Sequence, residues 1–500
     1  MEPVVTEHVA SRQFQFYNVA VILFMGFASV AMGYSASIIG TTLAQPTFIE
    51  YFELATRSDA TSLISTMNGL FQAGAFVGAL LINPVGDHWG RKWAIAFPAI
   101  LVLISGALLA GSVNIAMFLV FRFVAGVGSW MLLGSIPMWM TEVAPPKNRG
   151  ALVNIHGASL LFGYTFACWV GYGFYFVDHP AAWRATFAFQ CLPCVIVLIG
   201  MPWLPESPRY LVQSGKHDEA RRVLARLHAP EEARFEFAQI EAQLQVDASL
   251  PSSWKSMLAK KSYRKRTLFA IGLACGIQFT GVLVINNYSS IIYKGLGITG
   301  STVLLYTSGF NTLGFGCGII GIFLIELLPR NKIVALGTTL VTTCLVVEAA
   351  LVANYPVMPG QNQAALRAAV AMTFCYMAFS QLCLDEVQWV WYPEMFPTHL
   401  RSKGVTIGLA AVALMNIMWL QAAPTAFETI GWKFYLCFII PAYLFAIACF
   451  LFFPDTRGLA LEEIGALFGD EEHEVYHGPI EDVHIPSSEP KGEHTRVEAV

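Results

Sequence analysis

Charged residues are scarce in this chain of 500 residues: Asp, Glu, Lys and Arg make up 13%, whereas hydrophobic residues make up 55%. A typical soluble domain carries about 25% charged residues, so the composition excludes an ordinary soluble domain. The formal charge of −4 is too small to indicate a partner. The sequence also lacks a nucleophile elbow, a phosphate-binding loop and a metal-ligand cluster. We therefore expect no enzyme, no cofactor and no metal site.

A complete cysteine motif for a redox or metal site is absent as well. The ten cysteines lie mostly inside apolar runs, where a free buried thiol is expected. Cys191 and Cys194 have the spacing of a redox or metal motif, but no second pair completes a site.

The hydrophobic residues fall into runs of about twenty, long enough at ~1.5 Å per helical residue to cross a ~30 Å hydrocarbon layer. Six runs precede a polar stretch and six follow it: Tyr17–Gly40, Leu63–Asn83, Trp93–Ser112, Ile115–Thr141, Val153–Phe176, Ala185–Leu204, Thr267–Tyr293, Thr302–Leu328, Ile333–Ala353, Ala368–Trp391, Val405–Ala423 and Trp432–Phe453. The sequence therefore predicts an all-α integral membrane protein with twelve transmembrane helices, numbered here as spans 1 to 12.

Lys and Arg lie almost entirely on one side of these spans. If both termini are cytoplasmic, the residues outside are only Arg57, Arg184, Lys294, Arg367 and Lys433, out of thirty Lys and Arg. Positively charged loops stay in the cytoplasm, so we expect both termini there.

These features divide the chain into five segments. The linker spaces its apolar residues at helical intervals, which predicts short amphipathic helices that cover the bundle ends or lie on the lipid surface. From about residue 471 the composition is typical of a disordered tail. The predicted segments are a cytoplasmic tail (1–16), a six-helix half (17–204), a cytoplasmic linker (205–266), a second six-helix half (267–454) and a cytoplasmic tail (455–500).

Three charged patterns occur once in each half. The matching pairs are Glu142 and Arg149 with Glu394 and Arg401, Asp87 and Arg91 with Glu326 and Arg330, and Pro205-Glu206 with Pro454-Asp455. Internal duplication in an apolar chain is typical of secondary transporters, whose binding site lies between the halves.

Six motifs in chain order resemble the sugar porter family of the major facilitator superfamily, and its fungal members in particular. They are Asp87-x-x-Gly-Arg-Lys92, Arg122-x-x-x-Gly126-x-Gly128, Pro137-x-Trp-x-x-Glu142-x-Ala-Pro145-x-x-x-Arg149-Gly150, Pro205-Glu-Ser-Pro-Arg209, Trp389 with Glu394-Met-Phe-Pro397, and Pro454-Asp-Thr-Arg-Gly458-Leu-x-Leu-Glu-Glu463. The resemblance covers about residues 17–465. It implies two pseudo-symmetric six-helix bundles around a cavity that opens alternately to each side.

The resemblance also implies a role for the charged residues at the cytoplasmic helix ends. In the family, ion pairs there close the inner side and separate as the bundles move; the alternative is that these residues only anchor lipid headgroups. They are Asp87, Arg91, Glu142, Arg149, Glu206 and Arg209 in the first half, and Glu326, Arg330, Glu394, Arg401, Asp455 and Arg457 in the second.

Sugar hydroxyls need hydrogen-bond partners in a desolvated pocket, and the resemblance assigns four of them to Gln278, Tyr288, Trp389 and Asn416. At five other positions the family's amides and first tyrosine are replaced, by Gly157, Ile277, Leu283, Asn287 and Gly314. The pocket is therefore expected to offer fewer amides. We expect His156, Asn287 or Asn311 to compensate.

Spans 1 and 10 depart from the family pattern in charge. Ser35 replaces the Asp that pairs with the arginine at position Arg122 in proton-coupled members, and Asp385-Glu386 replaces Gly-Pro. An unpaired arginine inside a membrane is costly. Either Asp385 or Glu386 serves Arg122 as a relocated proton site, or coupling is lost as in the facilitative carriers, or the two acids only cap or break span 10. Because neighbours lie ~100° apart on a helix, at most one acid faces the cavity.

The sequence thus predicts a plasma-membrane transporter that moves a monosaccharide or related polyol by alternating access, alone or with a proton. The alternative is a carrier of the same fold for a sugar-derived acid or an exported metabolite, which the reduced amide set favours. A sugar sensor is disfavoured by the short tail. The expected partners are a sugar-like molecule, a proton if coupled, and the lipid bilayer, with no nucleic acid; we expect a functional monomer.

Overall fold

The computed structural model describes residues 16–144, 149–228, 230–250, 253–325, 327–355, 363–457 and 468. Within these residues the secondary structure is entirely helical. The tails predicted for residues 1–16 and 455–500 lie largely outside the described residues, as does Glu326.

Eleven helices are long and apolar enough to cross a membrane, and the helix Arg149–Tyr175, at the position of span 5, completes the predicted twelve. Spans 1 to 6 are Phe16–Thr42, Ala60–Trp89, Arg91–Ala110, Ile115–Val143, Arg149–Tyr175 and Ala182–Trp203. Spans 7 to 12 are Lys261–Asn287, Ser301–Leu324, Arg330–Asn354, Ala364–Glu394, Arg401–Thr429 and Gly431–Phe452.

The helices pack into two bundles with the same pattern of neighbours. In the first, span 1 packs on span 5, span 4 packs on spans 2 and 3, and span 3 packs on span 6. In the second, span 7 packs on span 11, span 10 packs on spans 8 and 9, and span 9 packs on span 12. Adding six to each span number of the first set gives the second set, so the duplication in sequence is a duplication in packing.

The bundles meet along two seams, span 2 against span 11 and span 5 against span 8. The Thr61 hydroxyl donates to Glu428 at 2.6 Å near one end of the first seam, and the Asn83 amide donates to the Thr406 hydroxyl at 3.0 Å near the other. In the second seam the Thr165 hydroxyl donates to the Asn311 carbonyl at 3.0 Å. Spans 2 and 11 are therefore in contact near both ends.

Two spans of the second bundle are irregular where they face the first. Span 7 is interrupted after Gln278 by Gly281, whose φ of 75° is left-handed, and continues as Val282–Asn287 and Ser289–Gly295. The carbonyl of Thr280, in this break, accepts from the Tyr376 hydroxyl at 2.8 Å. Span 10 contains a π-helical turn, Gln381–Asp385, a feature frequent at functional sites. Irregular backbone at membrane depth persists only where protein or a cavity surrounds it.

The linker forms the helices Pro208–Gln213, His217–Leu227, Pro230–Ser249 and Trp254–Ala259. The first three share a small apolar core that includes Leu211, Leu224 and Phe237. Tyr210 donates from its hydroxyl to the His88 carbonyl at 3.2 Å. The linker therefore packs against the first bundle, at the ends that we call the linker side.

Candidate functional site

A cavity of about 90 Å³ lies between the bundles and is lined by spans 1, 4, 5, 7, 8, 10 and 11. Its polar lining residues are Trp130, Tyr164, Gln278, Asn286, Asn311, Gln381, Asp385, Gln388 and Trp389. The lining is otherwise apolar. Among the lining residues, Asp385 is the single acid and none is Lys, Arg or His.

Span 10 contributes more polar lining residues to the cavity than any other span. Gln381, Asp385, Gln388 and Trp389 follow one another at helical spacing, so they share one face of the helix. The Gln388 amide donates to Asp385 Oδ1 at 2.9 Å. Asp385 is thereby held in place while it faces the cavity.

Spans 7 and 8 add an amide pair, in which Asn286 Nδ2 donates to Asn311 Oδ1 at 3.1 Å. Asn311 Nδ2 is in turn occupied by the Thr307 carbonyl at 3.0 Å. These contacts fix the orientation of both amides toward the cavity.

Several buried polar atoms of the lining have no hydrogen-bond partner in the described part of the chain. Three are amide oxygens, of Gln278, Gln381 and Gln388, and one is the indole N–H of Trp130. An unpaired buried polar group costs about 1–3 kcal/mol. A ligand with hydroxyl groups, which both donate and accept, would pair both kinds of atom.

The structure brings together only some of the predicted site residues. Gln278, Trp389 and Asp385 line the cavity, and Asn311, named as a compensating residue, does too. Asn416 is buried in span 11 outside the lining.

Three other predicted residues do not line this cavity and form hydrogen bonds within the protein instead. The Tyr288 hydroxyl donates to the Leu420 carbonyl at 2.8 Å, and the Asn287 amide to the Leu283 carbonyl at 3.0 Å. His156 pairs through Nδ1 with the Ser29 hydroxyl at 2.8 Å. The break in span 7 turns Asn286 rather than Asn287 into the cavity.

Sequence reasoning missed Asn286, Gln381, Gln388, Trp130 and Tyr164. A signal was present for two of them, because Gln381 and Gln388 stand four residues before and three residues after Asp385. Residues at these spacings share a helix face.

Arg122 is 1% exposed and forms no ion pair among the described residues. Its guanidinium donates to the Met67 and Ser35 carbonyls at 3.3 and 3.4 Å and lies 4.5 Å from the centre of the Phe71 ring. The hypothesis that Asp385 or Glu386 pairs with Arg122 is therefore not met in this structure. Backbone dipoles and an aromatic face replace the missing carboxylate.

The charged motifs assemble into two matching triads on the linker side. In the first half, Arg91 Nε lies 3.1 Å from Glu142 Oε2, and Glu206 Oε1 accepts from the Arg91 backbone N–H at 3.0 Å. Arg91 also contacts Asp87 at 3.3 Å. We call Arg91, Glu142 and Glu206 the first triad.

Arg330, Glu394 and Asp455 form the second triad. Arg330 Nη2 lies 3.4 Å from Glu394 Oε1, and Asp455 Oδ1 accepts from the Arg330 backbone N–H at 2.9 Å. In each half the second acid of the triad, Glu206 or Asp455, thus caps the first turn of a span, where the helix dipole favours negative charge. Each of these contacts joins residues of the same half of the chain.

The remaining predicted gate residues do not belong to either triad. Arg209 pairs with Asp247 of the linker at 2.7 Å in this structure. Arg457 donates to the Leu327 carbonyl at 2.7 Å. Arg401 begins span 11. The side chain of Arg149 lies outside the described residues.

Comparison with known proteins agrees with this architecture. The family model described as "Sugar (and other) transporter" matches residues 21–468. An MFS-type transporter, criB, of Aspergillus cristatus is 30% identical, over 90% of this chain and 93% of its own. A quinate permease of Neurospora africana is 30% identical, over 88% of this chain and 87% of the permease. A high-affinity glucose transporter of Kluyveromyces lactis is 27% identical, over 91% of this chain and 86% of the transporter.

Solved structures of the xylose transporter XylE from E. coli have the same fold. Its partially occluded inward-open form gives a TM-score of 0.77 at 21% identity, covering 89% of this chain and all of XylE. The inward-open form gives 0.75 at 22% identity, covering 90% of this chain and all of XylE. The predicted arrangement of two six-helix bundles is therefore confirmed, and the chain belongs to the sugar transporter family of the major facilitator superfamily.

Proposed function

We propose that this transporter carries a neutral polyhydroxylated compound, a monosaccharide or related polyol, by alternating access and without changing it chemically. The observation that supports this most is the set of unpaired amide oxygens and the unpaired indole N–H around the cavity. Sugar hydroxyls satisfy both types of group, and the flanking indole of Trp389 offers an apolar surface to the C–H face of a ring.

A sugar-derived acid is the second candidate, because quinate permeases are among the relatives. The cavity disfavours it. Asp385 faces the ligand space and no cationic side chain lines it. A carboxylate there would lie near the Asp385 carboxylate in a low-dielectric site, where like charges repel.

The proposed site of action is the plasma membrane, with both termini in the cytoplasm. The distribution of Lys and Arg supports this orientation. The single chain is the proposed transporting unit, because one chain supplies residues on every side of the cavity.

Exchange of labelled substrate in proteoliposomes tests the proposal. Vesicles loaded with unlabelled glucose, xylose, a hexitol or quinate would be diluted into the labelled compound. We expect exchange of at least one neutral compound and little exchange of quinate. If quinate exchanges faster than every neutral compound, the proposed substrate class is wrong.

A further inference from the structure

Glu386 follows Asp385 in sequence but lies in a different environment. It is 8% exposed and does not line the cavity. Its carboxylate lies against Gly157 of span 5 and Gly318 of span 8: a Cβ added to these glycines would be 3.1 Å from Oε2 and 3.7 Å from Oε1. Within the described residues the carboxylate has no hydrogen-bond or ion-pair partner.

Few titratable groups face this carboxylate. On its own helix the neighbouring residue is a second acid, Asp385. On span 5 the neighbour of Gly157 is His156, whose Nδ1 is paired with Ser29. Span 8 presents the uncharged Gly318. Burial of a carboxylate that has no partner among the described residues disfavours its ionised form, so this environment favours a protonated Glu386.

The contact between Glu386 and Gly157 joins the two bundles. Gly157 is eight residues after Arg149, the first residue of span 5, and Glu386 is eight residues before Glu394, the last of span 10. At 1.5 Å per residue, both lie about 12 Å from the linker side. If the bundles part on that side, Gly157 leaves the carboxylate and water reaches it.

We propose that Glu386 is the proton-binding site of this transporter: it is protonated when span 5 covers it and releases the proton to the linker side when the bundles separate. Asp385, hydrogen-bonded to Gln388, instead shapes the substrate cavity. This rests on the proposed alternating access, and it assigns separate roles to two adjacent acids. Gly157 is required for this arrangement, since a larger residue there would displace the Glu386 carboxylate.

Transport measured in two modes tests the proposal. Exchange at equal pH on both sides needs no net proton transfer, whereas accumulation driven by a pH gradient does. For Glu386→Gln we expect exchange to persist and gradient-driven accumulation to be lost, together with the pH dependence of uptake. Glu348→Gln is the matched control, because Glu348 is also buried in the second bundle but accepts a hydrogen bond from the Tyr435 hydroxyl of the same bundle at 3.1 Å. This variant should still accumulate substrate.

An infrared measurement on the purified protein tests the protonation itself without any substrate. We expect Glu386→Gln to lose the carbonyl stretch of one protonated carboxylic acid that Glu348→Gln retains. Accumulation by Glu386→Gln at the wild-type level, or an unchanged infrared band, would overturn the proposal. If the wild-type protein exchanges substrate but never accumulates it, the proton site is refuted and the proposed function stands. If no neutral compound exchanges, the proposed function fails, and the infrared band still decides whether Glu386 carries the proton.

Discussion

The two halves of this protein are alike at their linker-side ends and different at the cavity. Each half places an arginine at the start of its third span against a glutamate at the end of its fourth, and caps that arginine's helix with an acid after its sixth. At the cavity the symmetry is lost. The first half supplies Trp130 and Tyr164 as polar lining, whereas every lining amide and the single acid come from the second.

This difference separates two demands on the sequence. The linker-side helix ends hold six helices together in each bundle, and the same charged contacts do this in both bundles. The cavity binds one ligand between the bundles, so the polar residues of one half need not be repeated in the other. The second half is also the one with the broken span 7 and the π-turn in span 10, which expose its side chains to the cavity.

Breaking a triad is expected to give the largest effect, a loss of stability. The ion pairs of the two triads are not equally buried. Arg91 and Glu142 are 8% and 11% exposed, whereas Arg330 and Glu394 are 8% and 25% exposed. Removing one partner of a buried pair costs about 3–5 kcal/mol. We expect Arg91→Ala to approach that loss of stability and Arg330→Ala to lose less, which thermal unfolding in detergent would measure.

Arg91→Ala combined with Glu142→Ala is the control, because it removes the uncompensated carboxylate as well. This double variant should recover part of the lost stability. Equal destabilisation by Arg91→Ala and Arg330→Ala would show that the triads are equivalent in energy as well as in geometry.

Asp385 accounts for the charge difference between the cavity surfaces of the two halves. Asp385→Asn removes the like charge that faces an anionic ligand, so a carboxylate-bearing sugar acid should compete about tenfold better, roughly 1.4 kcal/mol, relative to its neutral polyol. Inhibition constants in the exchange assay measure this ratio. Glu386→Gln is the matched variant and should leave the ratio unchanged, since Glu386 is outside the lining. An equal effect of both variants would contradict the separate roles of the two acids.

The frame of the protein was predictable from its sequence. Apolar runs of membrane-spanning length marked the helices, and the repeated patterns around Arg91 and Arg330 marked the residues that meet at the bundle ends. Both signals are strong because they depend on spacing over many residues, and errors of a few residues at a helix end do not alter them.

The cavity was less predictable, because it depends on the direction of single side chains. Asn286 and Asn287 are neighbours, and one residue of helix turns a side chain by ~100°. The left-handed Gly281 five residues earlier resets that direction, and the π-turn before Glu386 does the same in span 10. No periodicity in the sequence revealed either irregularity.

Smaller effects on half-saturation and melting temperature should distinguish residues that bind the ligand from residues that stabilise the fold. Gln278→Ala removes an acceptor from the cavity, so the half-saturating substrate concentration should rise about fivefold, on the order of 1 kcal/mol. Tyr288→Phe removes the hydrogen bond to the Leu420 carbonyl; it should lower the melting temperature and leave half-saturation near the wild-type value. Uptake kinetics and thermal unfolding of both variants test this distinction. A rise in half-saturation for Tyr288→Phe would instead place Tyr288 in the binding site.

The smallest effect concerns Glu206, the acid of the first triad that caps span 3. Burial raises the pKa of Glu206 above its ordinary value, against the lowering effect of the Ser207, Lys92 and Arg91 backbone N–H groups. A raised folded-state pKa means that the native protein binds this proton more tightly than the unfolded chain does. Its contribution to stability is therefore complete below the unfolded pKa of ~4.3 and is lost as the pH rises through the folded value.

Glu206→Gln should abolish that part of the pH dependence while it retains one oxygen to accept from the Arg91 N–H. Melting temperature measured from acid to neutral pH would fall less steeply in the variant than in the wild type. Parallel curves would mean that the backbone N–H groups offset burial, so that the cap at the start of span 3 is a stable carboxylate throughout.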